Sequence, residues 1–86
     1  MAVIFSDKAL EAYFDWQVSD RKVAKKINEL IKDILKNGLL NGIGKPEKLK
    51  YIPEYSRRIN QEHRLIYSPD EKDNLIIHSC KGHYED

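Results

Sequence analysis

Between Arg21 and Lys36, residues Val23, Ile27, Leu30, Ile31 and Ile34 recur every three or four positions, with six lysines and arginines and two acids among the rest. An α-helix gathers that spacing into one apolar stripe, which predicts an amphipathic helix starting near Ser19 or Asp20 and running to about Lys36, laid on an apolar surface that the remaining chain must supply. Asn37-Gly38 is the expected end of it. A second helical pattern runs from about Asp7 to Val18, with Leu10, Tyr13, Phe14 and Gln17 at helical spacing, Ser6 placed to cap it and acids in its first turn. Beyond Gly38 only short segments remain. Gly42, Gly44 and Pro46 mark Leu39 to Pro46 as a loop, and Leu49 to Tyr51 reads as a short strand. Tyr55 to Asn60 and His63 to Ser68 read as a hairpin turning at Gln61, and Leu75 to Cys80 as a last strand, after a turn through Pro69, Asp73 and Asn74. With Ala2 to Phe5 as a first strand, the chain predicts one α+β domain over residues 1–86. Two N-terminal helices pack on one face of a mostly antiparallel sheet of four to five strands, and the other face stays free.

In the strand from His63 to Ser68, side chains alternate, so Leu65 and Tyr67 face the helices while Arg64 lies on the free face. The same alternation puts one of Arg57 and Arg58 on that face and turns the other inward or to an edge, where it pairs with an acid. Arg58 is taken as the outward one.

At 86 residues one small core is expected. The single Cys80 excludes an internal disulfide framework and fits a reducing compartment. Residues 2 to 5 are apolar but run at once into Ser6, Asp7 and Lys8, which predicts neither a signal peptide nor a membrane span, and a cytoplasmic location. A net charge of +1 conceals segregation: −3 over residues 1–20, +4 over 21–36, +3 over 45–64 and −3 over 65–86. Two central basic blocks suit a polyanion, because phosphate contacts supply most sequence-independent affinity. A solvated lysine-rich helix face is the plainer reading of the first block.

Three separated stretches carry chemistry: Gly44-Lys45-Pro46-Glu47 with Lys50, Glu62-His63-Arg64, and His83-Tyr84. Cutting RNA with its own 2′-hydroxyl requires a base, cations at the crowded phosphate and an acid for the leaving 5′-oxygen. Glu47 suits the base, with Lys45, Lys48 and Lys50 close enough in sequence to hold it ionised and grip phosphate. Arg64 suits the phosphate, since guanidinium offers a planar fork of donors and keeps its charge. His83 suits the proton donor, and Tyr84 could stack or donate beside it. His63 falls on the opposite strand face and is expected to be buried and hydrogen-bonded. Tyr13, Phe14 and Trp16 read as core or helix-packing residues. His78, Cys80 and His83 are spaced as in some metal sites, but a structural zinc site usually has four ligands at paired short spacings, which one Cys and three His do not supply here, and His78 and Cys80 suit a strand. No metal or cofactor is expected.

The ordered set Lys22-Val23-Ala24-Lys25-Lys26-Ile27-Asn28-Glu29-Leu30-Ile31-Lys32, Gly44-Lys45-Pro46-Glu47-Lys48-Leu49-Lys50, Ser56-Arg57-Arg58-Ile59, Glu62-His63-Arg64-Leu65-Ile66-Tyr67 and His83-Tyr84 resembles the YoeB/Txe toxins of bacterial type II toxin–antitoxin systems. The resemblance spans nearly the whole chain. It implies a RelE-like fold and a ribosome-dependent endoribonuclease that cuts mRNA in the ribosomal A site without metal, leaving a 2′,3′-cyclic phosphate and a 5′-hydroxyl. By the same resemblance Glu47 is the general base, His83 the general acid, Arg64 the phosphate-stabilising cation, Tyr84 a substrate-orienting residue and Lys50 an assisting lysine. Lys45 and Arg58 are expected to bind RNA phosphate. The implied partners are a YefM-type antitoxin, the ribosome with its mRNA, a second copy of the toxin, and operator DNA through the antitoxin. The chain departs from the family in having Glu85 and Asp86 after the His-Tyr pair, Gly82 where a larger residue is common, and a short Tyr51 to Tyr55 segment. Two other readings stand beside this one: a ParE-like toxin that poisons gyrase by binding, and a non-enzymatic module that binds nucleic acid or a partner.

Overall fold

Ser6 joins local to long-range structure. Its hydroxyl accepts from Ala9 N–H at 3.1 Å, capping the first helix, and donates to the His78 carbonyl at 3.0 Å, tying that helix to the last strand. The computed structural model describes residues 1–83, in the order β1 (Val3–Phe5), α1 (Asp7–Ser19), α2 (Arg21–Asn37), β2 (Glu47–Lys48), β3 (Tyr55–Arg58), β4 (Arg64–Pro69) and β5 (Leu75–Ser79). Asp20 serves both helices: its N–H donates to Trp16 O, and its carboxylate accepts from Lys22 and Val23 N–H at the start of α2. Gly38, at φ 94°, ends α2 as expected.

The sheet order is β1-β5-β4-β3-β2, with β1 parallel to β5 and the other neighbours antiparallel. Both helices lie on one face. Val23, Ile27, Leu30 and Ile34 of α2 meet Leu65, Tyr67, Leu75 and Ile77 of the sheet in one apolar cluster. Two expectations are corrected. On α1 the buried side is Ala9, Ala12, Tyr13 and Trp16, while Leu10 and Phe14 face outward, Phe14 with 59% exposure. The small alanines let α1 approach closely, and alanines give little apolar signal in a sequence pattern. The short strand is Glu47–Lys48, not Leu49 to Tyr51. Leu49 is instead a buried anchor whose N–H donates to Glu54 O at 2.9 Å, closing the loop between β2 and β3.

Arg57 points inward from β3 and is fully buried. Its Nε donates to Tyr67 Oη, its Nη1 to Asp33 and to Ile43 O, and its Nη2 to Gly38 O and Asn41 O. Tyr67 Oη in turn donates to Leu39 O at 2.6 Å. One guanidinium thus satisfies the backbone of the loop from 38 to 43, a segment with no regular structure to satisfy it. Two glycines fit that packing. A Cβ on Gly42 would lie 1.8 Å from Asp33 Oδ2, and one on Gly44 would lie 2.7 Å from Leu30 Cδ2.

The hydrogen bond from Arg57 holds the Asp33 carboxyl below its ordinary 3.8, reinforced by the Ile43 N–H and by Asn37. A depressed native value adds stability that is present above pH 3.8 and lost as pH falls through the native value. Asp33→Asn is therefore expected to flatten the acid limb of a stability-against-pH curve, measured by urea unfolding between pH 2 and 6. An acid limb as steep as that of the wild type would contradict this role.

Candidate nucleic-acid site

The sheet face opposite the helices carries Glu47, Arg58 and Arg64. Pairing of Glu47 with Ser56, Ser56 with Ile66 and Ile66 with Ser79 makes one cross-strand row, and Arg58 opposite Arg64 makes the next. Glu47 and Arg64 thus share a face, two strand spacings apart (about 9–10 Å) and about 6–7 Å apart along the strands. Arg58 and Arg64 are like charges directly opposite one another, an arrangement that costs stability unless an anion lies near. Alternation required one of Arg57 and Arg58 to be on this face, and the structure shows that it is Arg58.

Glu47 and Lys45 are exposed, and Lys45 stands at φ 50° immediately before Pro46. That left-handed conformation is unfavourable for a residue other than glycine, and proline disfavours helical geometry in the residue before it. Strain is therefore held two residues from Glu47. Lys45 and Arg58 border one surface depression with Lys26 of α2, which links the two basic blocks. Lys50 is exposed in the loop after β2. Lys48, grouped with these lysines in the sequence, turns to the other face, its Nζ 5.4 Å from the Tyr55 ring centroid and bonded to Ile52 O.

Arg64 is anchored at the hairpin tip, Nη1 donating to Asn60 O at 2.6 Å and His63 O at 3.1 Å. Its remaining guanidinium donors, Nε and Nη2, have no acceptor among the described residues, leaving an edge suited to an oxyanion. The backbone beside it holds the C-terminal segment: Arg64 N–H donates to Gly82 O at 2.9 Å, and Gly82 N–H donates to His63 Nδ1 at 2.9 Å. The His63 ring packs edge-on against Trp16, centroids 4.8 Å apart, and Trp16 Nε1 donates to Cys80 O. His63 is half-buried and hydrogen-bonded, as expected, and it positions the tail that carries His83. Replacing His63 by Ala should speed amide exchange at Gly82 by at least about tenfold, read by NMR hydrogen exchange. Protection equal to the wild type would mean that the imidazole does not hold the tail.

His83 lines a cleft of about 440 Å³ whose wall includes Glu54, Ile66, His78 and Ser79. Tyr84 lies outside the described residues. Sequence reasoning missed His78 as part of this face because β5 carries a bulge, and Glu54 because it lies just before the strand that begins at Tyr55. Ile66 pairs with Ser79 but Tyr67 pairs with Ile77, so His78 is an extra residue. Strict alternation groups His78 with Cys80; in the structure His78 and Ser79 both reach the cleft, while Cys80 is sealed in the core. Cys80 Sγ lies 3.5 Å from Ala9 O, and burial pushes the thiol up to about 11. The metal reading of His78 and Cys80 therefore loses its shared face.

Residues 5–84 match a family model described as the YoeB-like toxin of bacterial type II toxin–antitoxin systems. Toxin YoeB of Escherichia coli (strain K12) is 44% identical over 86 residues, covering 98% of this chain and 100% of that protein. Toxin YoeB of Synechocystis is 45% identical over 87 residues, covering 99% of each. Among solved structures, the heterotetrameric YoeB-YefM toxin–antitoxin complex from Staphylococcus aureus aligns with TM-score 0.89 at 53% identity, covering 98% of both chains. The YoeB dimer from the same organism aligns with TM-score 0.90 at 52% identity and equal coverage. An archaeal RelE-RelB complex from Pyrococcus horikoshii, 18% identical with TM-score 0.73 over 99% of this chain and 97% of that one, shares the fold.

Proposed function

Because the chain belongs to the YoeB-like toxin family of bacterial type II toxin–antitoxin systems, we propose that it is a ribosome-dependent endoribonuclease that cuts mRNA in the ribosomal A site and so stops translation. Glu47 takes the proton from the 2′-hydroxyl, which attacks the adjacent phosphorus. Arg64 stabilises the charge that builds on the phosphate oxygens, assisted by Lys50, and His83 protonates the leaving 5′-oxygen. Tyr84 orients the substrate, while Lys45 and Arg58 grip flanking phosphates. The products are a 2′,3′-cyclic phosphate and a 5′-hydroxyl. Side chains supply the acid, the base and the cations, so the scheme requires no metal.

The observation that carries this reading is the strand register, by which a carboxylate at the β2 edge and a guanidinium on β4 share the face bordered by His83. A small exposed site holds RNA weakly by itself, and the ribosome would contribute the positioning of the phosphate. A YefM-type antitoxin is the expected protein partner, since the Staphylococcus aureus relative was solved with YefM. A dimer of this toxin is expected by the same route.

The test is primer-extension mapping of mRNA in a purified translation system. Discrete cuts within the A-site codon that require ribosomes support the proposal. Growth inhibition without any cut would favour gyrase poisoning, checked by supercoiling inhibition.

A further inference from the structure

Glu54, Ser68 and His78 form a polar cluster that the catalytic scheme leaves unused. Tyr55 pairs with Tyr67, so Glu54, just before the start of β3, stands next to Ser68, and the bulge brings His78 beside both. His78 Nε2 lies 2.7 Å from Ser68 Oγ and 3.9 Å from Glu54 Oε2. The Glu54 side chain is 25% exposed and that of His78 32% exposed, each open to the cleft. Beyond that long contact to His78, the Glu54 carboxylate has no polar partner among the described residues. Lys8 and Lys81 stand at the rim of the same cleft, with Ile66 in its wall.

We propose that this cluster is a base-reading subsite for a guanine flanking the scissile phosphate, with Glu54 as its specificity determinant; the assignment rests on the endoribonuclease reading above. The location fits: the Glu54–Ser68 positions lie one cross-strand row beyond Ser56 and Ile66, on the side away from Arg58 and Arg64. The cluster is thus about 13 Å from the paired arginines, room for a neighbouring nucleotide. The chemistry points to a base and not a phosphate, because an ionised carboxylate only accepts hydrogen bonds and repels an anion. A cleft of about 440 Å³ is in the size range of small-ligand sites. The bond to Ser68 fixes the His78 ring, and a fixed imidazole is a stacking surface for an unstacked base.

Among the four bases, guanine alone presents two adjacent donors, N1–H and N2–H, to the two oxygens of one carboxylate. Adenine and cytosine place an acceptor nitrogen beside their amino group, and uracil flanks its single N–H with carbonyls. Each of these leaves one carboxylate oxygen facing an acceptor, and an unmet buried acceptor is costly. The rim lysines meet the flanking phosphates.

The experiment is cleavage mapping on mRNAs that differ only in single bases of the A-site codon, with the wild type and Glu54→Gln compared. The wild type should favour guanine at one codon position by about tenfold or more. Glu54→Gln, which replaces an acceptor with a donor, should abolish that preference and redistribute the cuts. In parallel, NMR titration of the antitoxin-free protein with guanosine 3′-monophosphate should shift Ser68 and His78 signals, and cytidine 3′-monophosphate should not. The same base preference in both proteins, or equal shifts by the two nucleotides, overturns the proposal. So does weakened antitoxin binding in Glu54→Gln with base preference intact, which would assign the pair to a protein contact. The titration needs no cleavage, so a wild type that cuts nothing would remove the nuclease reading and leave the subsite to be judged by the titration.

Discussion

Glu47→Gln is expected to cut A-site mRNA about 10²- to 10⁴-fold more slowly than the wild type, and His83→Ala to fall in the same range, the usual contribution of a positioned acid or base. Both positions are exposed, so stability should change by no more than about 0.5 kcal/mol. That separation makes the measurement decisive: cleavage collapses while the melting curve and antitoxin binding stay put. Glu47→Gln keeps the shape of the side chain and removes only its capacity to take a proton. Arg64 needs a different substitution, since its Nη1 also holds the hairpin carbonyls of Asn60 and His63. Arg64→Ala would therefore mix lost chemistry with a loosened turn. Arg64→Lys keeps the charge and loses the planar fork, and it too should cut much more slowly if oxyanion contact is geometric. Cleavage at the wild-type rate by Glu47→Gln or by His83→Ala would falsify that residue's proton-transfer role.

The largest stability effect is expected at Arg57. Arg57→Met keeps much of the volume but leaves the carbonyls of Gly38, Asn41 and Ile43 and the Tyr67 hydroxyl without their donor. Removing one partner from a buried charged network costs about 3–5 kcal/mol. For a domain of this size that lowers Tm by at least about 12 °C, measurable by calorimetry. Activity should suffer beyond the loss of stability, because the loop from 38 to 43 leads directly to Gly44-Lys45-Pro46-Glu47. Gly44 O accepts from Arg58 N–H at 2.7 Å, so the strand that carries Arg58 also fixes the start of that motif. A Tm within 3 °C of the wild type would show that Arg57 is dispensable for the loop.

Arg57 and Arg58 illustrate how much of this site was legible. Alternation required the two neighbours to part, one inward to an acid and one outward, and the structure agrees. The acid itself, Asp33 on α2, is 24 positions away and carries no local mark in the sequence. Nor does its role in holding the loop that delivers Glu47. On α1, the stripe through Leu10 and Phe14 stood out because those residues are large and apolar, whereas the face that packs uses Ala9 and Ala12. The exposed Phe14 is the result.

The sequence by itself determined the two helices with the Ser6 cap and the Gly38 stop, the succession of strand, helices and strands along the chain, the inward direction of Leu65 and Tyr67, and the stretches that hold Glu47, Arg64 and His83. These follow from local spacing, from turn chemistry and from residue types, all written within a few neighbouring positions. Only the tertiary structure decided the short β2 at Glu47, the clasp of His63 and Arg64 on Gly82, and the bulge that turns His78 toward Glu54. Each of those depends on which distant strand lies alongside and at what register. A one-residue slip in that pairing reverses every side chain, and the register is set by the packing of the whole core.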